Sequence, residues 1–175
     1  MEVSELFSTE FDRLLPGQEV RTYGRTITEA DLAAFAGVTG DFHPLHTDAQ
    51  WAAGSQFGER IAHGLLVLSC SVGLAPIDPE RVIALRGFEK VVFKRPVRPG
   101  DTIRLEARVE RLRPLDPESG LVGFSWRVLN QEDRLVVRAE VEIVWRREPR
   151  AVEEDPPAEV AAFAGAAASP RPVYL

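Results

Sequence analysis

The segment from Gly40 to Asp48, GDFHPLHTD, concentrates side chains that could transfer protons, and we predict it to be a loop. Asp41 and His46 are five residues apart, so their side chains can reach one point only if the chain turns between them. Pro44 favours such a turn because its ring fixes the backbone φ angle. A converging pair can hold one water molecule. The histidine accepts its proton near neutral pH, and the aspartate orients the water or returns a proton.

A purely structural role is also open for these residues. Asp41 could cap a helix or a turn, and His46 could make a hydrogen bond that only supports the fold. His43 and Asp48 add metal-ligand types, but His43 and His46 flank a proline and no fourth ligand is apparent, so we predict no metal. The sequence also lacks the GxSxG motif of serine hydrolases. The GxGxxG motif of dinucleotide binding and a phosphate-binding glycine loop are absent as well, and we predict no cofactor.

A second candidate element is the tetrapeptide Ile61 to Gly64, IAHG, at the start of an apolar stretch. Backbone N–H groups at a helix N-terminus suit a developing oxyanion, and the glycine would let a substrate carbonyl approach closely. His63 could either make a hydrogen bond inside the core or line a pocket.

Charge placement is the third candidate feature. Between Arg86 and Arg113 there are nine basic and four acidic residues, although the whole chain carries a net charge of -6. Such a basic segment could receive the phosphates of a nucleotide-tailed substrate. It could equally be the solvated face of a strand, because Arg104 and Arg108 alternate with apolar residues.

These candidates must be positioned by helices in the first half of the chain. After a predicted strand from Gln18 to Thr28, the pair Thr28 and Asp31 resembles a capping box, and the helix that follows should end at Gly37. The stretch from Ala62 to Leu74 is apolar all round, which predicts a helix buried on every side.

The second half of the chain has the period of strands. Apolar and charged residues alternate without exception from Thr102 to Glu110, and the alternation returns in Val122–Val128 and Leu135–Trp145. Such segments are typical of half-buried antiparallel strands. With a further strand within Arg81–Val97, the layout predicts an α+β fold in which an antiparallel sheet wraps around the buried helix.

Length and composition limit the class of protein. The 175 residues suit one domain, which we place at residues 1–148, with an Ala/Pro-rich, disordered tail at residues 149–175. The acidic total gives no general attraction to nucleic acid. The longest uncharged stretch has 17 residues, fewer than the roughly 20 that span a bilayer. With a single cysteine and no signal-like N-terminus, we expect a cytoplasmic protein without a membrane partner.

Three separate motifs, GDFHPLHTD, ERIAHGLL and VVFKRPVRPGDT, resemble those of the MaoC-like dehydratases, the R-specific enoyl-CoA hydratases of the hot-dog fold. The likeness covers roughly residues 15 to 147. It implies a hot-dog sheet around a long central helix, and a homodimer with the acyl-CoA (or acyl-carrier-protein) thioester bound near the subunit interface. The implied reaction is reversible hydration of a trans-2-enoyl thioester to the R-3-hydroxyacyl thioester.

By this resemblance, Asp41 and His46 match the catalytic pair that activates water, and the backbone of Gly64 matches the donor to the thioester carbonyl. We expect His63 and His43 to contribute to substrate binding. The family usually has asparagine where His43 stands, so this position departs from the pattern.

Two other functions are compatible with a hot-dog fold. A thioesterase commonly places an acidic residue near or on the central helix, but no acid occurs from Ile61 to Ile77. A subunit that binds acyl-CoA or a partner without turnover is the other alternative, and the intact Asp41–His46 spacing argues against it.

Overall fold

The computed structural model describes residues 5–147, in which five helices precede most of a six-stranded sheet. The predicted tail at residues 149–175 lies outside the described residues. The helices are α1 (Glu5–Ser8), α2 (Glu29–Thr39), α3 (Pro44–Thr47), α4 (Ala49–Ala53) and α5 (Gly64–Leu74). The strands are β1 (Glu19–Arg21), β2 (Arg25–Thr26), β3 (Val82–Phe93), β4 (Thr102–Pro114), β5 (Ser119–Leu129) and β6 (Leu135–Arg146).

The strands form an antiparallel sheet in the order β1-β4-β5-β6-β3, and β2 pairs with the start of β4. The alternation predicted for β4 is confirmed, since Ile103, Leu105, Ala107 and Val109 are buried. Because successive side chains of a strand point to opposite faces, the apolar set of each strand lies on one face of the sheet.

Helix α5 packs into the core that this inner face creates. Leu66, Val67, Leu68 and Cys70 of the helix belong to the same buried cluster as the inward residues of the sheet. A helix packed against an antiparallel sheet in this way is the hot-dog arrangement, so the predicted α+β fold class is confirmed.

The prediction that the central helix is buried on every side is wrong for the single chain. Leu65 is 60% exposed, and Ser69 and Gly73 are exposed on the same helical face. An all-apolar composition shows that a helix avoids water, but it does not show whether the chain's own sheet covers every face. Here the sheet covers only part of the helix.

Local signals in the first half were partly correct. The capping box of Thr28 and Asp31 is present, with reciprocal hydrogen bonds. The helix continues past the predicted end at Gly37 to Thr39, because Gly40 adopts a left-handed φ of 75° and caps the last turn. The strand predicted over residues 18–28 is divided into β1 and β2.

The described helices are also too short or too polar for a membrane. None within residues 5–147 has the length and apolarity that crossing a bilayer requires.

Candidate active site

The loop after α2 brings Asp41, His46 and His63 together. A carboxylate oxygen of Asp41, a ring nitrogen of His46 and a ring nitrogen of His63 all lie within 4.8 Å of one another. Since a hydrogen bond to water spans about 2.7–3.0 Å, a carboxylate and a ring nitrogen at this separation can share one water molecule. The convergence that spacing and Pro44 predicted is therefore possible in the folded chain.

The loop is shaped by bonds around α3, a short helix where we predicted a loop. Pro44 occupies its first turn, where its missing N–H costs nothing. His43 is the N-cap: its Nδ1 accepts from the Leu45 N–H at 3.1 Å. The His43 N–H in turn donates to Asp41 Oδ1 at 3.2 Å. One oxygen of Asp41 thus supports the turn, while Oδ2 lies 3.9 Å from His63 Nε2.

His46 has a defined tautomer. Its Nδ1–H donates to the Ile61 carbonyl oxygen at 2.7 Å, so the Nε2 lone pair is the one available to take a proton. Burial lowers the pKa of His46, and the neighbouring His63 lowers it further, against an opposing effect of the Ile61 hydrogen bond. The imidazole is therefore neutral at physiological pH, as a general base must be.

A cavity of about 380 Å³ adjoins this histidine, a size that suits a small ligand. His46 and Gly64 form part of its wall. Much of the remaining wall is apolar, formed by Phe57, Leu65, Val67, Phe93, Val97 and Val137. Lys94 and Arg95 are the charged and exposed part of the wall. No role was predicted from the sequence for Phe57, Phe93 or Val137. Phe93 does begin the FKRP tetrapeptide of the motif VVFKRPVRPGDT.

Gly64 is the first residue of α5, so its N–H has no acceptor within the helix. Its backbone borders the cavity beside His46. A Cβ at this position would lie only 2.8 Å from the Phe93 ring, so the close packing requires glycine. A thioester carbonyl entering the cavity can approach this N–H without a side chain in the way.

Neither Asp41 nor the remaining two histidines line the cavity. His63 is 3% exposed; its Nε2–H donates to the Asp41 carbonyl oxygen at 3.0 Å, and its buried Nδ1 has no partner among the described residues. His43 is exposed, and its ring lies edge-on to Trp51 with centroids 5.5 Å apart. Both histidines contact the pair or its loop rather than the space where a substrate would lie.

The site fits water better than a zinc ion. The Asp41, His46 and His63 atoms are up to 4.8 Å apart, whereas bonds of about 2.0–2.1 Å in a tetrahedron require ligands roughly 3.4 Å apart. The rings of His46 and His63 are stacked with an interplanar angle of 28°, so they do not aim at one point. Asp48, the other ligand type considered, instead caps α4 by accepting from Gln50 and Trp51.

Known proteins share this chain's sequence and fold. The model of the MaoC-like domain family matches residues 12–123. The (R)-specific enoyl-CoA hydratase of Aeromonas caviae is 33% identical over 124 residues, which cover 71% of this chain and 90% of that protein. Protein MaoC of Klebsiella aerogenes is 42% identical over 108 residues, 60% of this chain, but the match spans only 32% of that longer protein.

A solved structure agrees with these sequence relatives. The unliganded R-hydratase of Pseudomonas aeruginosa superimposes with a TM-score of 0.66 at 34% identity, covering 87% of this chain and 96% of that one. The family match extends from before β1 into β5, so it includes Asp41, His46, His63 and Gly64 but not Val137 of the cavity wall. The chain therefore belongs to the MaoC-like domain family, and its relatives include proteins named as hydratases and dehydratases.

Proposed function

We propose that this protein catalyses the reversible hydration of a trans-2-enoyl-CoA to the R-3-hydroxyacyl-CoA. The observation that carries the proposal is the convergence of the Asp41 carboxylate with a ring nitrogen of His46, beside a cavity that also contains the Gly64 backbone. Relatives named (R)-specific enoyl-CoA hydratase and 3-hydroxybutyryl-CoA dehydratase support the same reaction class.

In this proposal the Gly64 N–H binds the thioester carbonyl oxygen. Polarisation of the carbonyl makes the β carbon electrophilic, and the same hydrogen bond stabilises the enolate that forms. Catalysis benefits because charge on the oxygen is greater in the transition state than in the substrate.

Water is activated by the residue pair. His46 Nε2 removes a proton while the water oxygen bonds to the β carbon, and the carbon–carbon π electrons move to the enolate. The pair then delivers that proton to the α carbon, with Asp41 as the last donor. One water is added, and both residues return to their starting states. The Nδ1–H bond to the Ile61 carbonyl stabilises the imidazolium formed in between.

The test is the loss of the enoyl absorbance of crotonyl-CoA on addition of the purified protein, followed by chiral analysis of the 3-hydroxybutyryl product. We expect hydration with R configuration. Release of free thiol without hydration would instead indicate a thioesterase, although α5 contains no acidic residue to activate water. Binding of acyl-CoA without any turnover would identify a non-catalytic subunit. Either result would overturn the proposal.

The proposal includes a homodimer. Strand β3 forms an edge of the sheet, and a groove of about 480 Å³ lies between this strand and the exposed face of α5. The groove is lined mainly by apolar side chains, including Leu65, Leu68, Leu85 and Phe88. An open strand edge beside uncovered apolar surface favours association. A second copy could extend the sheet and cover α5, and sedimentation equilibrium would show a monomer if this is wrong.

A further inference from the structure

Lys94 and Arg95, here called the basic rim, follow directly after β3 at the exposed part of the cavity wall. Their backbone is fixed, because the Lys94 N–H donates to the Val136 carbonyl oxygen at 2.8 Å. Arg95 Nη1 also donates to the Leu135 carbonyl oxygen at 2.8 Å. Hydrogen bonds to β6 therefore fix the position of the rim in the wall of the same cavity that His46 and Gly64 line.

The charges of the basic rim are not neutralised by neighbours. Within residues 5–147, neither Lys94 nor Arg95 forms an ion pair with an acidic side chain. Two exposed arginines of the sheet, Arg111 and Arg127, differ in this respect: Arg111 pairs with Glu142 at 2.9 Å, and Arg127 pairs with Glu106 at 3.0 Å. Those arginines are engaged within the fold, whereas the rim keeps two positive charges available to a ligand.

A second cavity of about 190 Å³ adjoins the rim, because Arg95 and Pro96 belong to the walls of both cavities. Its wall is polar and mixed in charge, with Arg98, Asp101, Asn130, Gln131, Glu132 and Arg134. Arg98 pairs with Glu59 at 2.6 Å, and Arg134 with Glu132 at 3.0 Å. A ligand that leaves the apolar cavity on this side passes the unpaired rim before it reaches the paired charges.

We propose that the basic rim binds a phosphate group on the pantetheine arm of the thioester substrate. This inference rests on the proposed function. In this proposal the apolar cavity holds the acyl group and the thioester. The rim binds the phosphate group that lies farther along the pantetheine arm. Arginine and lysine both form short, charge-assisted hydrogen bonds with phosphate oxygens. Coenzyme A and the prosthetic group of an acyl-carrier protein share this chemistry.

The primary test compares substrates with and without phosphate. We expect the double variant Lys94→Gln/Arg95→Gln to lower the preference for crotonyl-CoA over crotonyl-pantetheine, measured as the ratio of kcat/KM values, by at least about tenfold. The control is Arg113→Gln/Arg138→Gln, which removes the same charge from two exposed arginines outside both cavities. An unchanged ratio in the rim variant, or an equal fall in the control, would overturn the proposal.

A binding measurement separates this inference from the proposed reaction. Calorimetric titration of the protein with free coenzyme A should show affinity that the rim variant loses about tenfold and that pantetheine lacks. If crotonyl-CoA is not hydrated, the proposed function fails, but this titration still decides whether the rim binds phosphate. A further assay with crotonyl-carrier protein distinguishes the two sources of the phosphate, coenzyme A and a carrier protein. A lower KM for crotonyl-carrier protein than for crotonyl-CoA, raised equally by the rim substitutions, would assign the phosphate to a carrier protein.

Discussion

The imidazole rings of His46 and His63 stack with their centroids 3.8 Å apart. His63 is buried, and it also donates a hydrogen bond to the backbone carbonyl of Asp41. One buried ring therefore contacts both members of the proposed catalytic pair. Burial of His46 and the neighbouring His63 both lower the pKa of His46, which favours its neutral form.

The pH dependence of turnover should reflect this environment. The pKa of His46 is lowered, first by burial and then by His63, against the opposing Ile61 hydrogen bond. A base acts in its neutral form, so activity should persist below pH 6.5, the ordinary histidine value, and decline only as pH falls through the lowered pKa. The measurement is log(kcat/KM) for crotonyl-CoA against pH. An acid limb centred above pH 6.5 would contradict the expectation.

Removal of either member of the pair should abolish most turnover. We expect Asp41→Asn and His46→Ala each to lower kcat at least about a hundredfold, the low end for a positioned acid–base group. The control is Asp48→Asn in the same segment, because asparagine can also cap α4 and should keep kcat within about twofold. If neither Asp41→Asn nor His46→Ala reaches that loss in assays with crotonyl-CoA, the assigned roles are wrong.

Gly64→Ala should impair the site through a steric effect. The new Cβ would lie 2.8 Å from the Phe93 ring, so either the ring or the start of α5 must move. Displacement of the carbonyl donor by about 1 Å can cost about a hundredfold, and we expect kcat to fall at least about tenfold. Gly37→Ala is a matched control, because nothing lies within 4 Å of its added Cβ.

The same steric argument predicts partial recovery in a double variant. Gly64→Ala combined with Phe93→Ala removes the ring that collides with the new methyl group, so kcat should exceed that of Gly64→Ala alone. The comparison needs Phe93→Ala by itself, since this change also widens the cavity. Purely additive losses would show that the collision is not the cause.

His63→Phe separates ring stacking from hydrogen bonding. Phenylalanine retains an aromatic ring beside His46 but cannot donate to the Asp41 carbonyl. We expect kcat to fall about tenfold with little change in KM, because Asp41 loses its support while the cavity wall is untouched. The acid limb of the pH profile should also move toward higher pKa, since His63 lowers the pKa of His46. A variant with wild-type kcat and pH profile would show that His63 has no positioning role.

Features of this fold that depend on local sequence pattern were predictable. Strict alternation fixed the faces of β4, and the Thr28–Asp31 box marked the start of α2. The convergence of Asp41 and His46 followed from a proline between two functional side chains. The start of α5 was placed close to Gly64 because the apolar run begins there.

Features that depend on distant packing could not be predicted. The FKRP tetrapeptide gives no sign that Phe93, Lys94 and Arg95 meet Gly64 in space, because that contact arises when the end of β3 reaches the start of α5. Likewise, an isolated histidine in a sequence does not reveal a stack with another that is 17 residues earlier. Leu65 was expected inside because composition does not distinguish burial by the chain's own sheet from burial by a second copy.

The hydrogen bond from His46 to the Ile61 carbonyl joins the imidazole to the main chain three residues before Gly64. The orientation of the proposed general base and the position of the proposed carbonyl donor therefore both depend on one short backbone strip, residues 61–64. A shift of that strip would change the orientation of His46 and the position of the Gly64 N–H together. Substitutions within the strip should therefore reduce proton transfer and carbonyl binding at the same time. Phe57 and Val137 of the cavity wall belong to other segments. Substitutions at these two positions should therefore change the acyl chain length that the cavity accepts without altering the proposed chemistry.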